Sequence, residues 1–121
     1  MTGDSAQEPT PSAGMDTYVL VMLRRCGAAD DNGQVQPAHE QFITDLIRRN
    51  VILLGGGFAD AIGDAEAAYV LRCSLEEAEM IANNDPLVVS GVMRADCVEW
   101  QLVGVNPDAI DTKAIIRPRD V

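Results

Sequence analysis

The chain of 121 residues contains a single histidine. Its three cysteines, Cys26, Cys73 and Cys97, are odd in number and show no CxxC spacing, which argues against a disulfide scaffold or a zinc ribbon. Reduced, partly buried thiols in a cytoplasmic protein are the expectation. Long apolar runs are also missing. The longest, Tyr18 to Leu23, is far too short to cross a bilayer, and no basic segment leads into an apolar one at the N-terminus. Positive charge is scarce: nine Lys and Arg stand against nineteen Asp and Glu, a formal net charge of −10. Such a chain repels phosphate backbones and anionic membranes, so neither nucleic acid nor membrane is an expected partner. The pairs Arg24-Arg25 and Arg48-Arg49 read as solvated cations ending a strand and a helix.

What is present is ordinary globular composition, 47% hydrophobic and 23% charged, enough for one domain with a modest core. Residues 1 to 16 are rich in Pro, Ser, Thr, Gly and Ala without periodicity, and are expected to form a disordered leader. TYVLVMLRRC, residues 17 to 26, reads as a strand apolar on both faces. Residues 28 to 34 read as a turn-rich loop. A helix follows, with Pro37 in its first turn and Asn50 at its end. Residues 51 to 60 read as a strand running into a glycine-rich bend, AIGDAE as a loop, and residues 67 to 74 as a third strand. Ser74 and Glu77 have capping-box spacing and open a second helix, residues 75 to 84, with inner stripe Leu75, Ala78, Ile81 and Ala82. Asp85-Pro86 interrupts that helix, and Asp85 is placed to cap the short turn that follows. Residues 94 to 105 form the last strand, and residues 106 to 121 a C-terminal arm.

The order βαββαβ predicts an α+β, ferredoxin-like fold with a four-stranded antiparallel sheet over residues 17 to 105. Two helices cover one face of such a sheet. The first strand is apolar on both faces, so the other face needs a partner, and a second copy of the chain is the simplest. A homodimer through the sheet face is therefore expected.

Several motifs fail on inspection. His39-Glu40 begins HExxH, but Ile43 occupies the second ligand position, so no metal site is expected. Gly55-Gly56-Gly57 lacks the third glycine of a dinucleotide fingerprint, Asp60 standing in its place, and has no P-loop lysine. A bend or a close backbone approach explains the glycines better. Glu76, Glu77 and Glu79 read as a solvated helix face. No cofactor is implied.

Two polar residues stand where apolar ones would fit. His39 opens the stripe His39, Phe42, Ile43, Leu46, Ile47 of the first helix, and Asp85 closes the inner stripe of the second. If they meet, the carboxylate accepts from one imidazole nitrogen, fixes the tautomer and leaves the other nitrogen as a base. The plainer readings are a boundary histidine with its bonds satisfied and an aspartate that serves only as a helix cap.

Taken together, TYVLVMLRRC, PAHEQFI, a strand carrying glycines, SLEEAEMIANNDP and Val89-Ser90-Gly91 make the chain resemble the YCII-related family over about residues 17 to 104. The resemblance implies a dimeric α+β barrel whose His39 and Asp85 form a catalytic pair in a pocket. The chain departs from the family at Leu87, where many relatives carry an aromatic, and at Gly57-Phe58, which replaces Gly-Pro. Phe58 and Leu87 are accordingly the candidate substrate-binding residues, with Phe58 able to supply an aromatic wall. The expected function is a small cofactor-independent enzyme, a His/Asp general acid–base lyase or isomerase acting on a small organic molecule. The alternatives are a non-catalytic small-molecule-binding or dimerisation module, and an accessory protein that binds a partner through its arm.

Overall fold

The computed structural model describes residues 17–28 and 33–109. The expected leader, and the arm beyond residue 109, lie outside them. Strand β1 (Tyr18–Arg25) leads to helix α1 (Val35–Arg48). Strands β2 (Ile52–Ile62) and β3 (Ala65–Arg72) form a hairpin, followed by helices α2 (Leu75–Ala82) and α3 (Pro86–Val89) and by strand β4 (Met93–Trp100). A 3₁₀ turn, Pro107–Ala109, lies in the stretch assigned to the arm. The sheet runs in the order β2-β3-β1-β4 with every pair antiparallel, the ferredoxin-like α+β arrangement.

The boundaries differ from expectation for identifiable reasons. Helix α1 starts at Val35, two residues before Pro37, which stands at the third helical position, where its missing N–H has no intrahelical partner to lose. It ends in a Schellman motif. Asn50 adopts φ 61°, its N–H donates to the Ile47 carbonyl, and that of Val51 donates to the Leu46 carbonyl. The AIGDAE segment is not a loop. Gly63, at φ 62°, closes a tight turn with Asp64, so β2 and β3 extend towards each other and only two residues separate them. Gly55, Gly56 and Gly57 do not bend. They pair with Tyr69, Ala68 and Ala67 in the ladder, whose register shifts fall on either side of them, between Ile52 and Leu54 and between Gly57 and Ile62. Strand β4 stops at Trp100 rather than 105 because its partner β1 begins at Tyr18, opposite Trp100.

Alternation along β1 separates two faces. Val19, Val21 and Leu23 are fully buried and pack with Leu46, Leu71, Ala78 and Ala82 beneath the helices. Each such Leu or Val contributes roughly 1.5–3 kcal/mol by leaving water. The two alanines let α2 lie close to the sheet. Its N-terminus carries the complete capping box, with the Ser74 side chain accepting from the Glu77 N–H and the Glu77 carboxylate accepting from the Ser74 N–H. On the other face a row of apolar side chains, Leu54, Val70, Leu20 and Val98, crosses all four strands in register. Leu54, Val98 and the nearby Trp100 stay about half exposed.

Arg24 and Arg25 are not free solvated cations. Arg24 binds Asp64 and Asp96, each at 2.7 Å, and Arg25 holds Glu66 through two parallel hydrogen bonds of 2.9 and 3.0 Å.

Candidate active site

The break between α2 and α3 builds the site. Proline at position 86 disfavours helical geometry at the preceding residue, and Asp85 is extended, with φ −61° and ψ 129°. One of its carboxylate oxygens accepts from the Leu87 N–H at 2.9 Å and so caps α3. Helix α1 packs against α3, and this brings His39 from its N-terminal half onto the same carboxylate. His39 Nδ1 lies 2.8 and 3.0 Å from the two Asp85 oxygens. Asp85 is wholly buried, and the His39 side chain is 13% exposed. The carboxylate is thus at once a helix cap and an imidazole partner. A buried carboxylate needs such partners, since leaving one unpaired costs several kcal/mol.

A third contact was not anticipated from the sequence. The Tyr69 hydroxyl donates to Asp85 at 3.4 Å. Burial, and then the negative charge of Asp85, hold this phenol far above its ordinary ionisation range, so it stays a donor. The available signal was an inward position in β3, where Tyr69 alternates with Ala67 and Leu71 and brings a polar tip to an apolar face. Gly55 belongs to the same construction: a Cβ there would lie 2.6 Å from the Tyr69 Cβ, so only glycine lets β2 pass this ring undisturbed.

With Nδ1–H donating to Asp85, the remaining nitrogen, Nε2, carries the lone pair. His39 lines a cleft of about 820 Å³ between α1 and the β2–β3 hairpin. Phe58 and Leu87 line it too, as do Tyr69 and the backbone of Gly55 to Gly57. Three of the four residues singled out from the sequence, His39, Phe58 and Leu87, therefore border one cavity, while Asp85 stands buried behind His39 and does not line it. Glu40, the second residue of the broken zinc motif, also borders it, with Ile43 one turn further on. Among the described residues no group of three or more His, Cys, Asp or Glu is placed to hold a metal ion. Cysteine chemistry is not offered either. Burial raises the Cys73 thiol and pushes Cys97 up to about 11, neither borders the cleft, and all three cysteines are free. No described helix is long and apolar enough to cross a membrane.

The fold and site together define a small ferredoxin-like α+β protein with a buried histidine–aspartate pair opening onto a cleft. No family model matches the chain. The chain belongs to the family of the uncharacterized protein YjpA of Bacillus subtilis (strain 168), to which it is 35% identical over 89 residues, 73% of this chain and 98% of that protein. Among solved structures it is similar to 5-chloro-2-hydroxyhydroquinone dehydrochlorinase (TftG) of Burkholderia phenoliruptrix AC1100, in complex with 2,5-dihydroxybenzoquinone. The TM-score is 0.48 and the identity 18%, over 69% of this chain and 93% of that one.

Proposed function

We propose that the protein is a YCII-related, cofactor-independent enzyme that moves a proton on a small organic molecule, as a lyase or isomerase. The observation that carries this is the 2.8 Å contact of His39 with a fully buried Asp85 at the wall of an 820 Å³ cleft. In this reading Asp85 accepts a hydrogen bond from Nδ1–H and holds the ring, and Nε2 takes a proton from an acidic C–H or O–H of the bound molecule. The imidazolium so formed is stabilised by Asp85 and returns the proton, either to another atom of the same molecule (isomerisation) or to a departing group (elimination). Phe58 and Leu87 supply apolar walls. Tyr69 steadies the aspartate from behind and is a positioning residue.

The protein acts as a homodimer in the same proposal, with the apolar row Leu54, Leu20 and Val98 and the neighbouring Trp100 covered by a second copy. Half-exposed large side chains in register across a whole sheet face support this. Free thiols fit a cytoplasmic setting.

The test is a turnover screen of small ring and carbonyl compounds, with the wild type beside His39→Gln and Asp85→Asn. Loss of at least a hundredfold in kcat with His39→Gln is expected for a general acid–base. A compound turned over equally by wild type and His39→Gln would remove the histidine from the chemistry. A compound that binds both the wild type and Asp85→Asn but is turned over by neither would favour the binding-module reading.

A further inference from the structure

The sheet contains a second device on the same cleft. On β3 both ladders step over the same single residue, although on the β2 edge four residues, 58 to 61, are passed over opposite it. Leu23 pairs with Ala67 and Arg24 with Ala65, while on the other edge Gly57 pairs with Ala67 and Ile62 with Ala65. Glu66 is the residue passed over. Such a bulge re-aims a side chain. Here the carboxylate meets Arg25, which by alternation with Val19, Val21 and Leu23 lies on the helix-covered side, and it borders the cleft that His39 lines. The Arg25 fork donates one hydrogen bond to each Glu66 oxygen and fixes the carboxylate plane. Each oxygen keeps a lone-pair site. Glu66 is a third exposed, so it is open to a ligand. Arg25 also holds the Glu66 carboxyl below its usual range, chiefly through these hydrogen bonds, which keeps it an acceptor.

We propose that Glu66, presented by the β3 bulge and held by Arg25, is a second ligand-binding pole of the cleft, which therefore selects neutral molecules carrying hydrogen-bond donors on two sides. The inference rests on the His39 site being the ligand site. At one pole His39, its Nδ1–H given to Asp85, offers Nε2, at the other Glu66 offers carboxylate lone pairs, and Leu23, Ile43, Phe58 and Met93 line the cavity they share. A small ring with O–H or N–H groups at both ends matches two acceptors and apolar walls. An anionic ligand does not, because Glu40 and Glu66 both border the cavity and the Arg25 charge is already engaged by Glu66. Arg48, also on the rim, has its guanidinium 3.7 Å from Asp45.

The test needs no knowledge of the natural substrate. Resorcinol and 1,3-dimethoxybenzene share a ring and differ in having or lacking two donors, and 3-hydroxybenzoate adds a negative charge. Each is titrated into the full-length ¹⁵N-labelled protein, following the His39 ring and the Glu66 and Ala67 amides by NMR. Resorcinol is expected to bind at least about tenfold more tightly than the ether, as suits a hydrogen bond to a charged acceptor, and to shift both sets of signals. Glu66→Gln should weaken resorcinol about tenfold and leave the ether unchanged, and Arg25→Met should weaken it in the same direction. Equal affinity for resorcinol and ether in the wild type, absence of resorcinol binding, preference for the benzoate, or an unchanged affinity in Glu66→Gln would each overturn the proposal. The comparison within the wild type does not depend on any variant folding. If Glu66→Gln is silent while His39→Gln abolishes binding, the Glu66 pole fails and the His39 site stands. If His39→Gln is silent in turnover while Glu66→Gln weakens resorcinol, the catalytic reading fails alone.

Discussion

Replacing Asp85 by asparagine should loosen the hold on the His39 tautomer. In the native site the carboxylate accepts three hydrogen bonds, from His39 Nδ1, the Leu87 N–H and the Tyr69 hydroxyl, and it has no exposed surface. Asparagine keeps one carbonyl oxygen, which caps α3 almost as well as aspartate does. That oxygen is also the one 2.8 Å from His39 Nδ1 and still accepts there, but the amide nitrogen replaces the oxygen 3.0 Å away and competes as a donor, so the Nδ1–H tautomer loses its exclusive hold. The Tyr69 hydroxyl also meets a donor and must turn away from a contact that was already long. Exchanging charge-assisted bonds for neutral ones should cost roughly 1–2 kcal/mol, equivalent to a fall in melting temperature of about 4–16 °C. Asp85→Ala should be worse. It removes the cap, worth about 1 kcal/mol, and leaves buried donors without acceptors at roughly 1–3 kcal/mol each. The total, on the order of 3–7 kcal/mol, is a large part of a stability of about 5–15 kcal/mol. Because the chain contains one histidine, the ring ¹⁵N signals need no assignment among candidates. Two-bond ¹H–¹⁵N correlation at a pH where the ring is neutral should show Nδ1–H in the wild type and a mixture of Nδ1–H and Nε2–H in Asp85→Asn. The same tautomer in both proteins, or an Asp85→Ala variant as stable as Asp85→Asn, would refute the claim that this carboxylate orients the imidazole.

Gly55→Ala forces a methyl to within 2.6 Å of the Tyr69 Cβ, and overpacking of this kind should cost about 1–3 kcal/mol. Thermal denaturation should show the loss, and resonances of the Tyr69 ring should move with it. Val98→Asp places a charge in the exposed apolar row without touching the helix-side core, so sedimentation should report half the wild-type mass with unchanged far-ultraviolet dichroism. A dimer that survives Val98→Asp must be held elsewhere. In acid, the ion pairs around Arg24 set a sign. Hydrogen bonding to Arg24 holds Asp64 below 3.8, and for Asp96 burial pushes upward but Arg24 and Arg94 outweigh it and hold the group below 3.8 as well. Folded values lower than unfolded ones mean stabilisation that is fully present above the ordinary aspartate range and is lost as pH falls through the depressed values. Asp64→Asn should therefore be less stable than the wild type near neutrality, and the gap in denaturation midpoint should close below pH 3.8. A gap independent of pH would contradict the ion-pair origin.

The fold was legible because its signals are local and mutually consistent. A strand apolar on both faces, a helix with proline in its first turn that Asn50 can end, a capping box at Ser74 and a proline after Asp85 each constrain one element, and their order leaves little choice of topology. The hairpin was misjudged because hydrophobicity is silent in a segment whose residues are mostly small: GDAE carries no apolar alternation, and only the pairing of β2 with β3 reveals a two-residue turn. The glycines were misread for a related reason. Sequence shows that a side chain is missing and does not show whether the gap serves a bend or a neighbour, and here Gly55 makes room for Tyr69.

The site shows a different limit. Periodicity located His39 and Asp85 as polar residues on buried stripes, but no pattern within either helix could bring together residues 46 positions apart. That meeting depends on where α3 packs, and α3 exists because Pro86 breaks α2 and Asp85 caps the new turn. The choice between a helix cap and a histidine partner was therefore a false one. A carboxylate that only capped would tolerate exposure and gain little from burial. One that only held an imidazole would need another device to fix its own rotamer. At position 85 the Leu87 N–H fixes the rotamer, Tyr69 secures the second oxygen, and the imidazole takes what remains. The same economy explains why Glu66 escaped notice: its placement comes from a register shift between strands, a property of pairing that no single segment records.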